Sequence, residues 1–132
     1  MPFDESAAAE IELIIVTDDR AYARRLRDDL GRGRYRYTVT DICNRATILP
    51  DFEAAVEAVR GKRPVIVFLD CEFLRGQAEM FAARILSLRG AMAIECVATR
   101  PPVQHHRRAH LRMLGASLFY GHSQTAEIIP LH

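Results

Sequence analysis

Continuous apolar runs alternate along this chain with stretches whose apolar positions recur every three or four residues. That alternation predicts βα units feeding a mostly parallel sheet. Strands are expected over residues 11–16, 35–40, 65–69, 93–98 and 117–120. Between them, Tyr22, Leu26 and Leu30 recur at i, i+4, i+8, and Phe52, Ala55, Val56 and Val59 at i, i+3, i+4, i+7. Both read as amphipathic helices. Phe81, Ile85 and Leu88 give a third helix its buried stripe, and Gly31, Gly61 and Gly90 follow these helices where C-terminal caps belong. The third strand, Val65-Ile66-Val67-Phe68-Leu69, is apolar without alternation, as a central strand covered on both faces should be. An open doubly wound α/β sheet is the simplest arrangement for five such units joined by right-handed crossovers.

The length, 132 residues, suits one domain, read as a tail over 1–10 and a folded unit over 11–132. A formal charge of +1 gives no general reason to expect nucleic acid or a membrane surface as partner. The N-terminus carries Asp4, Glu5 and Glu10 in place of a basic start and long apolar run, so a cytoplasmic protein is expected. No apolar stretch reaches the roughly eighteen residues of a membrane span. Cys43, Cys71 and Cys96 are odd in number and lack metal-ligand spacing, which favours reduced thiols; Cys71 is expected half-buried at a strand end.

In a parallel sheet the C-terminal strand ends share one edge, where ligands bind. The first strand ends in Thr17-Asp18-Asp19, the third in Asp70 and the fourth in Thr99-Arg100. Three carboxylates converging in a crevice repel one another, so they hold a cation or keep a proton. Oxygen-only ligands suit Mg²⁺. The plainer role for Asp18 or Asp19 is to cap the helix that follows.

These pieces, in this order, resemble the response-regulator receiver domain over about residues 11 to 124. "IIVTDDRAYARRL" is similar to its first strand and acidic pair, "RPVIVFLD" to its phosphoacceptor strand, "CVATR" to its switch-threonine strand and "GASLFYGH" to its last strand and the segment after it. The resemblance implies a flavodoxin-like strand order 2-1-3-4-5 and a signalling module rather than an enzyme. It implies that Asp18, Asp19, Asp70 and the backbone carbonyl of Glu72 hold Mg²⁺. Asp70 would accept phosphate from a histidine kinase or phosphotransfer protein, Thr99 would bond the phosphoryl group, and Phe119 would change rotamer on activation. A downstream protein or output domain would read the result.

The sequence departs from this pattern at several points. The lysine expected after the fifth strand is His122, and Lys62, the only lysine in the chain, lies at the opposite sheet edge. His122 carries its charge only in part near neutral pH. Arg100 stands where the family has a small residue; it would supply the missing charge, pack over the pocket and block it, or make only a surface pair. Ser123 replaces the proline that follows the lysine, so a trans bond is expected there. The loop after Asp70, "CEFLRG", lacks the family's proline and brings in an additional acid, Glu72. These changes favour, as the alternative to a phosphorylated switch, a pseudo-receiver acting as an interaction or dimerisation module.

All five histidines lie between His105 and His132, and from Val97 onward four arginines face Glu127 alone. This basic segment reads as a solvated face, or as a surface for an acidic partner; direct nucleic-acid binding is not expected. His106 and His110 have no evident third ligand for a metal. "SQTAEIIPLH" is too short for a full last helix, which predicts an open apolar sheet face suited to a homodimer or another docked chain. A flavodoxin-like enzyme or nucleotide binder is disfavoured, because no glycine-rich phosphate loop follows the first strand.

Overall fold

A computed structural model describes residues 10–31 and 36–120 of the chain. Strand β1 (Glu10–Val16) leads into helix α1 (Arg20–Gly31), β2 (Arg36–Ile42), α2 (Ile48–Val59) and β3 (Val65–Asp70). The one-turn helix α3 (Cys71–Leu74) follows, then α4 (Ala78–Leu86), β4 (Ile94–Thr99), α5 (His105–Leu114) and β5 (Ser117–Phe119). The sheet is five-stranded, every pairing is parallel, and the order is β2-β1-β3-β4-β5, as expected. Strand β2 runs two residues beyond the expected Thr40, because Ile42 pairs with Val16 and is buried.

The pleat of the strands divides the core in two. Ile14 and Val16 of β1, with Val65, Val67 and Leu69 of β3, pack against Phe52 and Val56 of α2 and Phe81 and Ile85 of α4. Ile11, Leu13 and Ile15, with Ile66 and Phe68, face the other way, onto Tyr22, Leu26 and Leu30 of α1. Every residue of β3 is buried, which is why its sequence shows no alternation. Each fully buried Leu, Ile or Phe of these layers contributes about 1.5–3 kcal/mol. On the second side, Phe68, Val97 and Phe119 are each at most 1% exposed and pack in one cluster with the α1 stripe; the expected open apolar face depends on residues 121–132, outside the described residues. The expected short last helix and His122 fall in residues 121–132, outside the described residues.

Of the glycines expected to cap helices, Gly61 adopts a left-handed φ of 75° just beyond α2. Gly90 instead ends a 3₁₀ turn over Ser87–Gly90. The left-handed cap the periodicity passed over is Gly115, φ 106°, where Gly115 N–H donates to Arg112 O and Ala116 N–H to Leu111 O. This is the Schellman arrangement, which satisfies the last carbonyls of α5 and turns the chain into β5.

At the edge opposite the C-terminal strand ends, Glu12 is 4% exposed inside the sheet. Arg63 donates to its Oε1 from Nε at 3.1 Å and Nη2 at 3.0 Å, and the hydroxyls of Thr38 and Thr40 donate at 2.8 and 2.9 Å. A buried carboxylate is tolerable only when paired in this way.

Candidate functional site

The register of the sheet brings the chemistry together. Asp70 at the end of β3 pairs with Thr99 at the end of β4, and Val16 beside them leads directly to Thr17, Asp18 and Asp19. Thr17 is the joint between the two acidic strand ends. Its hydroxyl donates to Asp70 Oδ2 at 2.6 Å and accepts from the Asp19 N–H at 3.1 Å.

Asp19 is also the N-cap of α1: its Oδ1 accepts from Tyr22 N–H at 3.0 Å and its carbonyl from Ala23 N–H at 3.0 Å. Asp70 caps α3, its Oδ1 accepting from Glu72 N–H at 3.0 Å. The plain capping role and the acidic-cluster role therefore belong to the same side chains.

Arg100 fills the centre of this cluster. Its Nε donates to Asp70 Oδ1 at 3.0 Å and its Nη2 to Asp70 Oδ2. Its Nη1 donates to Asp19 Oδ2 at 3.1 Å and lies 3.5 Å from Glu72 Oε1. The guanidinium rests 4.5 Å from the centroid of the Tyr22 ring, within cation–π range. Asp70, 1% exposed, thus accepts two hydrogen bonds on each oxygen, the number of acceptor positions a carboxylate has. Two main-chain and hydroxyl donors and one bidentate cation satisfy it.

The electrostatics follow from this packing. The Tyr22 N–H, and after it Arg100, hold the Asp19 carboxyl below the usual carboxylate range, against the opposing effect of burial. The Asp70 hydrogen bonds raise the already high pKa of Arg100 further, so it is a permanent cation here. Burial pushes the Tyr22 phenol up, with the Thr99 side chain acting against it. The Thr99 hydroxyl also donates to Leu69 O at 3.2 Å and is itself 1% exposed.

Of the residues expected at the site, Asp19, Asp70, Glu72 and Thr99 gather at this edge, with the Glu72 side chain 68% exposed. Asp18 is exposed, and among the described residues no hydrogen bond or ion pair ties it to the cluster. Among the described residues no three His, Cys, Asp or Glu side chains gather in a way that would hold a metal ion. Arg100, for which three roles were open, lies over the pocket, paired with Asp70 and Asp19 rather than confined to a surface pair. Thr17 and Tyr22 were not foreseen as site residues. Tyr22 looked like one more core position, and its only sequence signal is its place three residues after Asp19, where its N–H meets the cap.

Other features prove structural. Cys71 is buried, not half-buried, and burial with Asp70 nearby pushes its thiol up to about 12. On α5, Arg107 is bidentate to Glu79 at 2.8 and 3.0 Å and Arg108 donates to Pro102 O at 3.1 Å, so the basic face is left to His105, His106, His110 and Arg112. No helix among the described residues is long and apolar enough to cross a membrane.

No family model matches the chain, and no curated protein does. Solved structures do. The signal receiver domain of a DNA-binding response regulator from Colwellia psychrerythraea 34H superposes with TM-score 0.64 at 20% identity, over 83% of this chain and 84% of that one. The phosphorylated cyanobacterial phytochrome response regulator RcpA gives 0.60 at 18% identity, over 89% and 86%. A Saccharomyces cerevisiae receiver domain, crystallised with the histidine phosphotransfer protein upstream of it, gives 0.61 at 14% identity, over 91% and 87%. With its β2-β1-β3-β4-β5 order, the chain has the CheY-like fold of response-regulator receiver domains.

Proposed function

We propose that this chain is a receiver module of two-component signal transduction, working in the cytoplasm. Asp70 accepts phosphate from a phosphohistidine of a histidine kinase or phosphotransfer protein, and protein contacts carry the result to a downstream partner or output domain. The observation behind this reading is Asp70 itself, a carboxylate ending the central strand at the ligand-binding edge, oriented by Thr17 and by the Glu72 N–H, with Thr99 beside it. The partner of the yeast neighbour supports the phosphotransfer class of donor.

In the transfer, one Asp70 oxygen attacks phosphorus in line with the phosphorus–nitrogen bond. That bond breaks, and its electron pair stays on the imidazole nitrogen, which takes up a proton. Phosphoryl transfer of this kind depends mainly on positioning and charge neutralisation. Among the described residues Arg100 is the cation at hand: its fork releases the carboxylate and pairs with the incoming phosphoryl oxygens, for which guanidinium geometry is well suited. The Thr99 hydroxyl lies at the adjoining strand end to bond the same group.

Mg²⁺, which the fold family implies, does not fit this arrangement. Both oxygens of Asp70 are committed, and Arg100 holds the space between Asp70 and Asp19. No step is assigned to a metal.

A second reading is favoured by one observation, the complete engagement and 1% exposure of Asp70. Under it the chain is a phosphorylation-independent interaction module with a fixed surface. Incubation with acetyl phosphate or a phosphorylated phosphotransfer protein, followed by intact-mass analysis, separates the two. The receiver reading requires the mass of one phosphoryl group on the wild type and none on Asp70→Asn. No adduct with either donor, together with unchanged partner binding by Asp70→Ala, leaves the fixed-surface module.

A further inference from the structure

We infer that Arg100 is a built-in cation that takes the place of the divalent metal in this acidic pocket and excludes it, so that the resting pocket is metal-independent. The inference rests on the receiver reading for its expectation of a metal here. Its test is a binding measurement that needs no phosphotransfer, so the two fail separately.

Four features support it. Every guanidinium nitrogen is used: Nε and Nη2 on Asp70, Nη1 on Asp19 and toward Glu72. Three carboxylates thus share one permanent positive charge, and the repulsion that would otherwise draw in a cation is relieved from within the chain. The Tyr22 ring gives the guanidinium a floor, so leaving the pocket sacrifices the stacking as well as the hydrogen bonds.

The backbone gives the third feature. Arg100 has φ 46°, in the left-handed region that side-chain-bearing residues rarely adopt. Such conformations persist where surrounding contacts over-determine them, and here the side chain is tied to two strand ends. Pro101 follows, and a residue before proline ordinarily keeps to an extended φ, so the left-handed backbone of Arg100 is costlier still and is held by these contacts.

The fourth is coordination geometry. Mg²⁺ demands near-octahedral oxygen ligands at about 2.1 Å and usually takes them from one or two carboxylates plus water. Asp70 cannot offer an oxygen without losing one of the four hydrogen bonds it accepts. A weakly held hexahydrate gains too little from the exposed Asp18 and Glu72 to displace it.

Titration of the ¹⁵N-labelled full chain with MgCl₂, followed by amide NMR, tests this. The wild-type amides of Asp19, Asp70 and Cys71 should stay in place through about 10 mM Mg²⁺, well above the level at which an open acidic pocket fills. Arg100→Ala and Arg100→Gln should show saturable shifts at the same amides, with affinity raised about tenfold or more. Calcium should shift these variants less than magnesium at equal concentration if a small octahedral site has been opened.

Saturable wild-type shifts at millimolar Mg²⁺ overturn the inference. So does failure of a folded Arg100→Gln chain to gain affinity. Should Arg100→Ala unfold, Mg²⁺ restoring its amide dispersion supports the substitution of one cation for the other. Loss of fold in both variants with no rescue by Mg²⁺ contradicts it, because the cluster then needs more than a positive charge.

Discussion

Arg100 spans both carboxylate oxygens of Asp70 from a neighbouring strand end, with Nε 3.0 Å from Oδ1 and Nη2 on Oδ2. The pair joins β3 to β4 just past the last residues of the ladder, where Asp70 and Thr99 are in register. It is 1% exposed on the acid side and 26% on the arginine side, so its worth depends on which partner is removed.

Removing Arg100 leaves a buried carboxylate with Thr17 and the Glu72 N–H as its remaining donors. Removing Asp70 leaves a guanidinium that retains Asp19 and can reach water. Arg100→Ala should therefore cost about 3 kcal/mol in urea denaturation without Mg²⁺, and Asp70→Asn distinctly less. Equal losses would contradict this asymmetry.

Tyr22 separates stacking from hydrogen bonding. Tyr22→Phe keeps the ring beneath Arg100 and loses only the phenol hydroxyl, an expected loss of about 1 kcal/mol. Tyr22→Ala also removes a core residue that is 4% exposed and should cost about 3–5 kcal/mol. Guanidinium chloride unfolding of the two variants measures the difference.

The Glu12 cluster carries stability away from the site. Arg63→Ala strands a buried carboxylate on two threonine hydroxyls and should cost about 3 kcal/mol. Glu12→Gln, which retains an acceptor for both hydroxyls, should cost less, and amides at the Asp70 edge should keep their shifts in both variants.

Stability should fall in acid through Glu79 and Asp19. Arg107 bonds hold Glu79 below its ordinary value, and the Tyr22 N–H with Arg100 does the same for Asp19. A carboxyl lowered in the folded state contributes stability that is complete above its unfolded pKa, near 4, and is lost as pH falls through the folded one. Arg107→Ala should flatten the stability profile between about pH 5 and pH 2, measured by denaturant midpoints.

Thiol reactivity distinguishes the cysteines. Cys43 is exposed, while Cys71 and Cys96 are buried with thiols pushed up by burial. An aromatic disulfide reagent should modify one thiol in the native chain and all three in denaturant. Fast native modification of Cys71 would show that the helix after Asp70 opens readily.

Much of this was legible in the sequence because the signals are local. The stripe Tyr22, Leu26, Leu30 and the unbroken run of β3 reported the helices and the central strand directly. Asp19, Asp70 and Thr99 followed from where parallel strands end. The role of Arg100 was not fixed, because it depends on a left-handed backbone and on contacts 30 and 81 residues away. Tyr22 was hidden for a different reason: a stacking ring and a core ring have the same helical spacing.

The central claim is that an arginine, and not a metal, holds the charge of this pocket. A crystal structure of the chain grown with millimolar MgCl₂ tests it most directly. The account predicts the Arg100 guanidinium lying across Asp70 and stacked on Tyr22, with no metal between Asp19 and Asp70. An octahedral Mg²⁺ bound to Asp70, with Arg100 turned out to solvent, would contradict it.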